Sequence, residues 1–311
     1  MRVIGDIGGT NARFAIARDG LYDQLSSYHC ADYPTLEDCL RFYLGERHLP
    51  AQPDEIALAV AGPVTSDAVA LTNHPWHFRQ TTLQSIFGAK RVIVVNDFTA
   101  NALSLPYLPA DDLEAIGGGA PKANAIKAIL GPGTGLGVSG LVRGNDGHWV
   151  PIEGEGGHVT MPATNAREAS IIALLRQRYD HVSAERVLSG DGLVNLYEAI
   201  TQLDGHPSTG LKAAQIADPR LGESDPHAHE AVMMFCACLG TVAGDLALTL
   251  GALGGVFIAG GIVPRLGARF ASSEFRRRFE AKGRFRDYLR AIPTYLITHQ
   301  NPALIGLSRM R

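Results

Sequence analysis

Cysteine is scarce in this sequence, which has four cysteines among 311 residues. No two of them form a C-x-x-C pair, and so few cysteines cannot supply the disulfide framework of a secreted domain. Cys236 and Cys238 offer at most half of a metal site, but they lie in an apolar run, where buried thiols are common. We therefore expect a structural role for both and a reducing, cytoplasmic location for the chain.

An excess of charge of one sign is also missing. The chain has 28 lysine and arginine residues against 31 aspartate and glutamate residues, a formal net charge of -3. This balance gives no long-range attraction to the phosphates of a nucleic acid. The most basic stretch, residues 276–290, is interrupted by acidic and aromatic residues and is typical of a solvated helix face. We expect no nucleic-acid partner.

No hydrophobic segment predicts a membrane span. Residues 246–263 carry no charge and approach the lower length limit for a spanning helix, but five glycines interrupt them. The pattern predicts a helix end, a glycine stop and a buried strand over residues 256–259. Because a glycine-rich motif begins at Gly5, we also expect no signal peptide and no export.

The familiar nucleotide-binding motifs are missing or stand in the wrong context. Neither the P-loop pattern G-x-x-x-x-G-K-[ST] nor the protein-kinase motifs occur. Gly135, Gly137 and Gly140 do spell G-x-G-x-x-G, the pattern of dinucleotide-binding folds. That pattern must open a helix, whereas residues 138–142 are strand-like and are followed by glycines and a proline. A nucleotide must therefore bind to a different scaffold.

The composition is that of an ordinary globular protein, with 46% hydrophobic and 19% charged residues. At about 150 residues per domain, the length suggests two domains with a possible cleft between them. Short apolar runs separated by turns predict strands over residues 3–7, 12–17, 56–61 and 91–95. Apolar residues at helical spacing predict a helix over residues 36–44.

A second set of predicted elements follows. They are strands over residues 126–130, 138–142 and 294–298, helices over residues 166–179, 192–203 and 227–250, and a short helix after Pro302. The first two strands predict a hairpin that turns at residues 131–137. Helix 227–250 carries apolar residues on most of its faces, so we expect it to be buried between the domains.

Glycine-rich turns follow apolar strands at three places. In the first turn, residues 8–10, glycines let backbone N–H groups approach an anion, and the carboxylate of Asp6 just before it suits a hydrated Mg²⁺. A simple hairpin turn is the alternative. If the turns at residues 8–10 and 133–135 come from two domains, they can hold one polyphosphate between them. The third, Gly260-Gly261, is suited to pass beside an adenine ring, although many strand-to-helix turns contain such a pair.

Two polar side chains, Asn96 and Asp97, end the apolar strand over residues 91–95. The ends of parallel strands commonly present ligand-binding groups. A phosphoryl acceptor needs a carboxylate to take the proton of its hydroxyl group, and an asparagine offers sugar hydroxyls both a donor and an acceptor. The alternative is that Asp97 only caps the helix that follows.

Acidic residues and a histidine also occur in an open loop over residues 153–158, where glycines provide no bulky shield. Such a loop suits a polyhydroxylated ligand, although an isolated pair such as Glu155 and His158 is more often surface decoration. Residues 183–186 predict a helix start, where Glu185 would support the first turn.

Together these segments resemble the bacterial glucokinase family over nearly the whole chain. The family is related in fold to hexokinase, actin and the large chaperone ATPases. The matching motifs, in the order of the family, are residues 5–13, 72–76, 95–100, 133–137, 154–158, 183–190 and 257–265.

This resemblance implies an α/β, two-domain actin-like/hexokinase (ribonuclease-H-like) ATPase fold with an interdomain cleft. It implies a smaller α/β domain of residues 1–107 plus 296–311 and a larger one of residues 108–295. The implied function is a glucokinase that transfers the γ-phosphoryl group of ATP to the 6-hydroxyl of glucose, gives glucose 6-phosphate and ADP, and feeds glycolysis. A kinase for another hexose or hexosamine is the alternative.

The resemblance also implies roles for individual residues. The glucose-binding residues are Asn96, Asp97, Glu155, His158 and Glu185, with Asp97 also the general base. The ATP-binding residues are Gly5, Asp6, Ile7, Gly8, Gly9, Thr10, Gly133, Thr134, Gly135, Gly260 and Gly261. Asp6 is expected to hold Mg²⁺ through water, and a homodimer is expected.

Three other possibilities are disfavoured. The related repressor, open-reading-frame and kinase family has a cysteine-rich zinc motif after its Gly-His segment, but here no cysteine occurs between His158 and Cys236, so zinc is not expected. A sugar-sensing regulator would need a DNA-binding segment ahead of Gly5. An actin-like or chaperone ATPase would have no use for Asn96, Asp97 and the acidic loop.

Overall fold

The computed structural model describes residues 1–207 and 209–310. Its strands, in chain order, are β1 (Arg2–Ile7), β2 (Asn11–Arg18), β3 (Leu21–His29), β4 (Glu55–Val60), β5 (Ala68–Ala70), β6 (His77–Arg79), β7 (Arg91–Asn96), β8 (Leu113–Ala115), β9 (Lys127–Pro132), β10 (Leu136–Arg143), β11 (Trp149–Ile152), β12 (Val256–Ile258) and β13 (Thr294–Ile297). Its helices are α1 (Leu36–Glu46), α2 (Gln80–Phe87), α3 (Asp97–Ser104), α4 (Ala166–Leu175), α5 (Gly190–Leu203), α6 (Ala213–Ile216), α7 (Pro219–Ser224), α8 (Pro226–Leu250), α9 (Val263–Leu266), α10 (Ala268–Ala271), α11 (Phe275–Glu280), α12 (Arg286–Arg290) and α13 (Pro302–Arg309).

These elements form two compact units, each of mixed α/β structure. The first unit contains Met1–Ala110, Trp149–Glu153 and the chain from His299 onward, and the second contains Asp111–His148 and Gly154–Thr298. The mixed α/β architecture agrees with the predicted fold class. The predicted larger domain, residues 108–295, includes Trp149–Glu153, so the prediction differs from the compact units there. The domain boundaries and the cleft stay predictions.

A five-stranded sheet, in the order β3-β2-β1-β4-β7, forms the centre of the first unit. Strands β1, β4 and β7 are parallel and in register, with Ile7 beside Val60 and Val60 beside Asn96. Because parallel strands point their carboxyl ends at the same edge, the turn after β1 and the start of α3 lie at one edge of this sheet. The fold therefore brings the first glycine turn towards Asn96 and Asp97.

Helices cover both faces of this sheet. One face packs against α1 and α2, and α1 contributes an apolar face at the predicted helical spacing: Leu36, Cys39, Leu40, Tyr43 and Leu44. The other face packs against α3 and α13 through Ala100, Leu304 and Leu307. Since burying a large apolar side chain contributes about 1.5–3 kcal/mol, packing against the sheet holds these helices in place.

The sheet of the second unit is built around β9. This strand pairs antiparallel with β10 and parallel with β12, and β13 joins β12 to the short strand β8. The predicted hairpin of β9 and β10 is confirmed. Its strands extend further than predicted, with Leu136 opposite Pro132, so the turn contains only Gly133, Thr134 and Gly135.

Helix α8 lies in the core of the second unit, where it packs on α5 and α11. Glycines allow the close approach of α11, because a Cβ atom at Gly240 would overlap the carbonyl oxygen of Phe275. By length and composition α8 could cross a membrane, but 72% of its most apolar window is buried inside the protein. The core of one unit thus surrounds this helix, which differs from the predicted position between domains.

A buried ion pair joins three helices of this core. Arg278 of α11 donates to Glu168 of α4 from Nη1 to Oε1 at 2.6 Å and from Nη2 to Oε2 at 3.2 Å. Its Nη2 also donates to the hydroxyl of Thr241 in α8 at 2.7 Å. Burial acts to raise the pKa of Glu168, but hydrogen bonds from Arg278 and Thr164 outweigh it and hold this pKa below its usual range.

Candidate active site

The first glycine turn connects β1 to β2 in the first unit. The backbone N–H of Gly8 donates to the carbonyl oxygen of Asn11 at 3.0 Å, which closes the turn. Cys30 holds the turn from the other side, because its backbone N–H donates to Thr10 O at 2.9 Å and its thiol to Gly8 O at 3.4 Å. The side chain of Thr10 is exposed. This is a fixed turn with an open outer surface.

The first two apolar positions of the predicted ATP motif pack inside the sheet. A Cβ atom at Gly5 would lie 2.8 Å from Leu58 Cδ2 and 2.9 Å from Phe14 Cδ1, so glycine is needed there for strand packing. Ile7 is fully buried. Within the motif, Gly8, Gly9 and Thr10 form the turn itself.

Asp6 points from β1 towards its antiparallel partner. It lies directly opposite Arg13 of β2, whose Nη1 donates to Asp6 Oδ2 at 3.2 Å. Burial raises the pKa of Asp6, and the guanidinium of Arg13 acts in the opposite direction. No role was predicted for Arg13, although its position opposite Asp6 across the turn between β1 and β2 could have indicated this pair.

Asn96 and Asp97 lie where β7 passes into α3. The side-chain oxygen of Asn96 accepts from the N–H groups of Phe98 at 2.8 Å and Thr99 at 3.4 Å, and its Nδ2 donates to Gly62 O at 3.2 Å. Asn96 is therefore the N-cap of α3, and Asp97 is the first helical residue, not the cap. Asp97 Oδ1 accepts from Phe98 N at 3.0 Å.

The second glycine turn, residues 133–135 with Leu136 after it, is called the nucleotide hairpin below, after its predicted role. Gly133 N donates to Gly135 O at 2.8 Å and closes it. Glu185 lies against this turn, because its Oε2 accepts from the backbone N–H of Leu136 at 2.8 Å.

Residues 154–158 of the acidic loop, called the sugar loop below after their predicted role, pack on the same hairpin. A Cβ atom at Gly157 would overlap the carbonyl oxygen of Leu136, so the two backbones are in contact. Glu185 N donates to Gly157 O at 2.9 Å. The side chains of Glu155 and His158 are exposed. The second unit thus brings Glu155, His158 and Glu185 next to the hairpin.

The segment after Glu185 is a turn, which corrects the predicted helix start at residues 183–186. The helix α5 begins at Gly190, and Ser189 caps it by accepting from Gly192 N at 3.0 Å. Gly190 N in turn donates to Gly133 O at 2.9 Å. Ser183 and Ser189 are both residues that favour a helix start, and the distance from each to the apolar residues that follow did not show which of them caps the helix.

The third glycine pair lies beside the base of the nucleotide hairpin. Gly260 has φ +86°, and a Cβ atom there would overlap the carbonyl oxygen of Pro132. Ala259 N donates to Leu130 O at 2.9 Å, which fixes this turn to β9. A Cβ atom at Gly261 would meet nothing within 4 Å, so its surface is open.

Residues 3–311 match the family model described as Glucokinase. The chain is 50% identical over 310 residues to the glucokinase of Nitrobacter hamburgensis, covering 100% of this chain and 97% of that protein. It is 51% identical over 307 residues to the glucokinase of Aromatoleum aromaticum, covering 98% and 92% of the two chains.

Solved structures show the same similarity. A glucokinase from an Antarctic psychrotroph superposes with a TM-score of 0.89 at 37% identity, covering 99% of this chain and 97% of that one. A Streptomyces griseus glucokinase of the repressor, open-reading-frame and kinase family, solved with glucose and AMPPNP, shares the fold with a TM-score of 0.63 at 17% identity, covering 99% and 97%. The predicted family and enzyme class are confirmed: this chain belongs to the glucokinase family.

Proposed function

We propose that this protein transfers the γ-phosphoryl group of ATP to the 6-hydroxyl of glucose, which gives glucose 6-phosphate and ADP. Membership of the glucokinase family supports the reaction. The observation that supports its location is the packing of the sugar loop and Glu185 directly on the nucleotide hairpin. Transfer needs the acceptor hydroxyl and the phosphoryl group at adjacent positions.

Asp97 is the proposed general base. It takes the proton of the 6-hydroxyl as that oxygen attacks the γ-phosphorus and the bond to ADP breaks. Its carboxylate is oriented by the N–H of Phe98, and its backbone is fixed by the cap that Asn96 provides. A base at the first position of a capped helix is rigidly placed for this step.

The other glucose ligands are proposed to be Asn96, Glu155, His158 and Glu185. Both oxygen lone pairs of the Asn96 amide are directed at α3, and one N–H is used by Gly62. Its second amide N–H is therefore the group that suits a sugar oxygen. Carboxylates of Glu155 and Glu185 suit sugar hydroxyls as acceptors.

ATP is proposed to bind at the turn Gly8–Thr10 and at the nucleotide hairpin, with its adenine beside Gly260 and Gly261. The N–H groups of Gly8 and Gly133 close these turns, so those of Gly9, Thr10, Thr134 and Gly135 are proposed to face the phosphates. Gly5 and Ile7, which pack in β1, are proposed to support this turn from inside the sheet. Open glycine turns of this kind suit anions.

Mg²⁺ is proposed to bind to Asp6 through water. The Asp6 carboxylate suits a hydrated ion because its side chain is 21% exposed and one of its oxygens, Oδ2, faces Arg13. Among the described residues, no three His, Cys, Asp or Glu side chains cluster to hold a metal directly. Bound Mg²⁺ would neutralise the charge on the β- and γ-phosphates. We also propose a cytoplasmic homodimer that feeds glycolysis.

A substrate panel tests the proposed function. Coupled assays of ADP release are run with glucose, mannose, fructose and N-acetylglucosamine at fixed ATP and Mg²⁺. Glucose should give the highest kcat/KM. A higher kcat/KM for another sugar would reassign the substrate to a different hexose or hexosamine. ADP release that does not depend on any sugar would contradict the kinase assignment.

A further inference from the structure

We infer that Glu185, besides binding sugar, is a positioning residue for the nucleotide hairpin, so that one carboxylate couples the sugar and nucleotide sites of the second unit. The inference rests on the proposed function, because it takes these two sites as the sugar and nucleotide sites. It adds a link between them that neither site needs on its own.

The first step is the contact of the carboxylate with the hairpin. Glu185 Oε2 accepts from the N–H of Leu136 at 2.8 Å, immediately after the turn. A Cβ atom at Gly135 would overlap the same oxygen. The carboxylate therefore occupies the space beside the last residue of the turn, and its position and that of the turn depend on each other.

The second step is the backbone that holds Glu185. Its N–H donates to Gly157 O of the sugar loop at 2.9 Å, and its carbonyl oxygen accepts from the Ser189 hydroxyl at 2.8 Å. Gly190, the first residue of α5, donates its backbone N–H to Gly133 O at 2.9 Å. Residues 185–190 thus connect the sugar loop to both ends of the nucleotide hairpin.

The third step is the capacity of the carboxylate. A carboxylate has two oxygens with about four acceptor positions, so Glu185 can accept from Leu136 N–H and from a sugar hydroxyl together. A bound hydroxyl restricts the carboxylate and, through it, the hairpin. By linkage, a nucleotide that orders the hairpin must favour sugar binding by the same factor.

One arm of the test changes the hairpin and measures the sugar. Gly135→Ala pushes against the Glu185 carboxylate and should weaken glucose binding about threefold to tenfold in calorimetry without nucleotide, the scale of one strained charged hydrogen bond. Gly118→Ala is the control, because this glycine of the second unit lies outside both proposed sites and a Cβ atom there meets nothing within 4 Å. Its glucose affinity should equal that of the unmodified protein.

The other arm changes the carboxylate and measures the nucleotide. Glu185→Ala should weaken ADP binding about threefold to tenfold in the absence of sugar, because Leu136 N–H loses its acceptor. Glu185→Gln, which keeps one acceptor oxygen, should recover part of this loss. Glu198→Gln, which breaks a surface pair with Arg178, is the control and should bind ADP normally.

The outcomes separate the inference from the proposed function. If the unmodified protein binds neither glucose nor ADP, the proposed function fails and the inference fails with it. If it binds both, but Gly135→Ala binds glucose as tightly as Gly118→Ala does, or Glu185→Ala binds ADP normally, only the inference is overturned. Thermal melting checks that each variant is folded. If one of Gly135→Ala and Glu185→Ala does not fold, the binding result of the other still tests the inference.

Discussion

At the scale of single residues, Asn96 and Asp97 divide two tasks between neighbouring side chains. The amide of Asn96 caps α3 and binds Gly62, so most of its hydrogen-bonding capacity stabilises the fold. Asp97 follows at the first helical position, with its carboxylate held near the N–H of Phe98. The cap therefore fixes the proposed base.

Two substitutions of Asn96 should separate its structural and binding roles. Asn96→Ala removes the cap and should lower the free energy of unfolding by about 1 kcal/mol, whereas Asn96→Ser keeps a good cap and should lose less. Both should weaken glucose binding, because neither keeps the amide N–H. Denaturant titration and calorimetry measure the two effects. Equal stabilities would contradict the cap, and unchanged glucose binding in both would remove Asn96 from the sugar site.

At the scale of elements, the ion pair of Glu168 and Arg278 holds α4, α8 and α11 together. Glu168→Gln leaves the Arg278 charge buried without its partner and should cost about 3–5 kcal/mol of unfolding free energy. The control is Glu198→Gln, whose surface pair with Arg178 should contribute about 0–1 kcal/mol. A loss in Glu168→Gln no larger than in the control would contradict this role.

The same pair predicts a dependence of stability on pH. The pKa of Glu168 is lower in the folded protein than its ordinary value of about 4.3. Its contribution is therefore complete above that ordinary value and is lost as the pH falls through the lowered folded pKa. Unfolding free energies measured from pH 7 downwards should fall less steeply for Glu168→Gln than for the unmodified protein. Parallel curves would exclude Glu168 as a source of this dependence.

The contact of α8 with α11 depends on a glycine. Gly240→Ala forces a Cβ atom against Phe275 O and should destabilise the protein by about 1–3 kcal/mol, as overpacking does. Gly45→Ala in α1 is the control, because a Cβ atom there meets nothing within 4 Å and alanine favours helix by about 0.5–1 kcal/mol. Melting temperatures should move in opposite directions. A stable Gly240→Ala variant would show that α11 can move away without cost.

At the scale of the whole molecule, the sequence predicted the elements that carry strong apolar patterns. Strands β1, β7, β9 and β10 and helix α8 lie close to their predicted positions. It missed β3, an edge strand with many polar residues and a partly exposed pattern along its length. Residues 276–290 were predicted as a solvated helix face and do contain most of α11 and all of α12, but Arg278, Phe279 and Leu289 are buried, because these helices pack on the core of the second unit.

The site could be predicted as motifs but not as contacts. The strings around Asp97 and Glu155 are visible in one dimension, whereas the hydrogen bond from Leu136 N to Glu185 joins distant segments through the fold. The cap of α3, which was the alternative role considered for Asp97, belongs to Asn96 one residue earlier, because Asn and Asp are equally good caps and stand side by side. Tertiary contacts decide such cases.

Metal and reductant should act differently on the whole enzyme. EDTA should abolish turnover and added Mg²⁺ should restore it, because one carboxylate that holds Mg²⁺ through water cannot keep the ion from a chelator. Dithiothreitol should have no effect, since the four cysteines are free and buried and burial raises the pKa of Cys39, Cys236 and Cys238 to about 12. Coupled assays measure both. Full turnover in EDTA, or loss of turnover in dithiothreitol, would contradict the respective half.

The most direct test of the account is the kinetics of Asp97→Asn together with its glucose affinity. The substitution keeps the size of the side chain and an acceptor for Phe98 N–H but removes the base, so kcat should fall about 10²- to 10⁴-fold. Calorimetry should still detect glucose binding, and the melting temperature should be nearly unchanged. If Asp97→Asn turns over at close to the rate of the unmodified enzyme, Asp97 is not the base and the proposed mechanism is wrong.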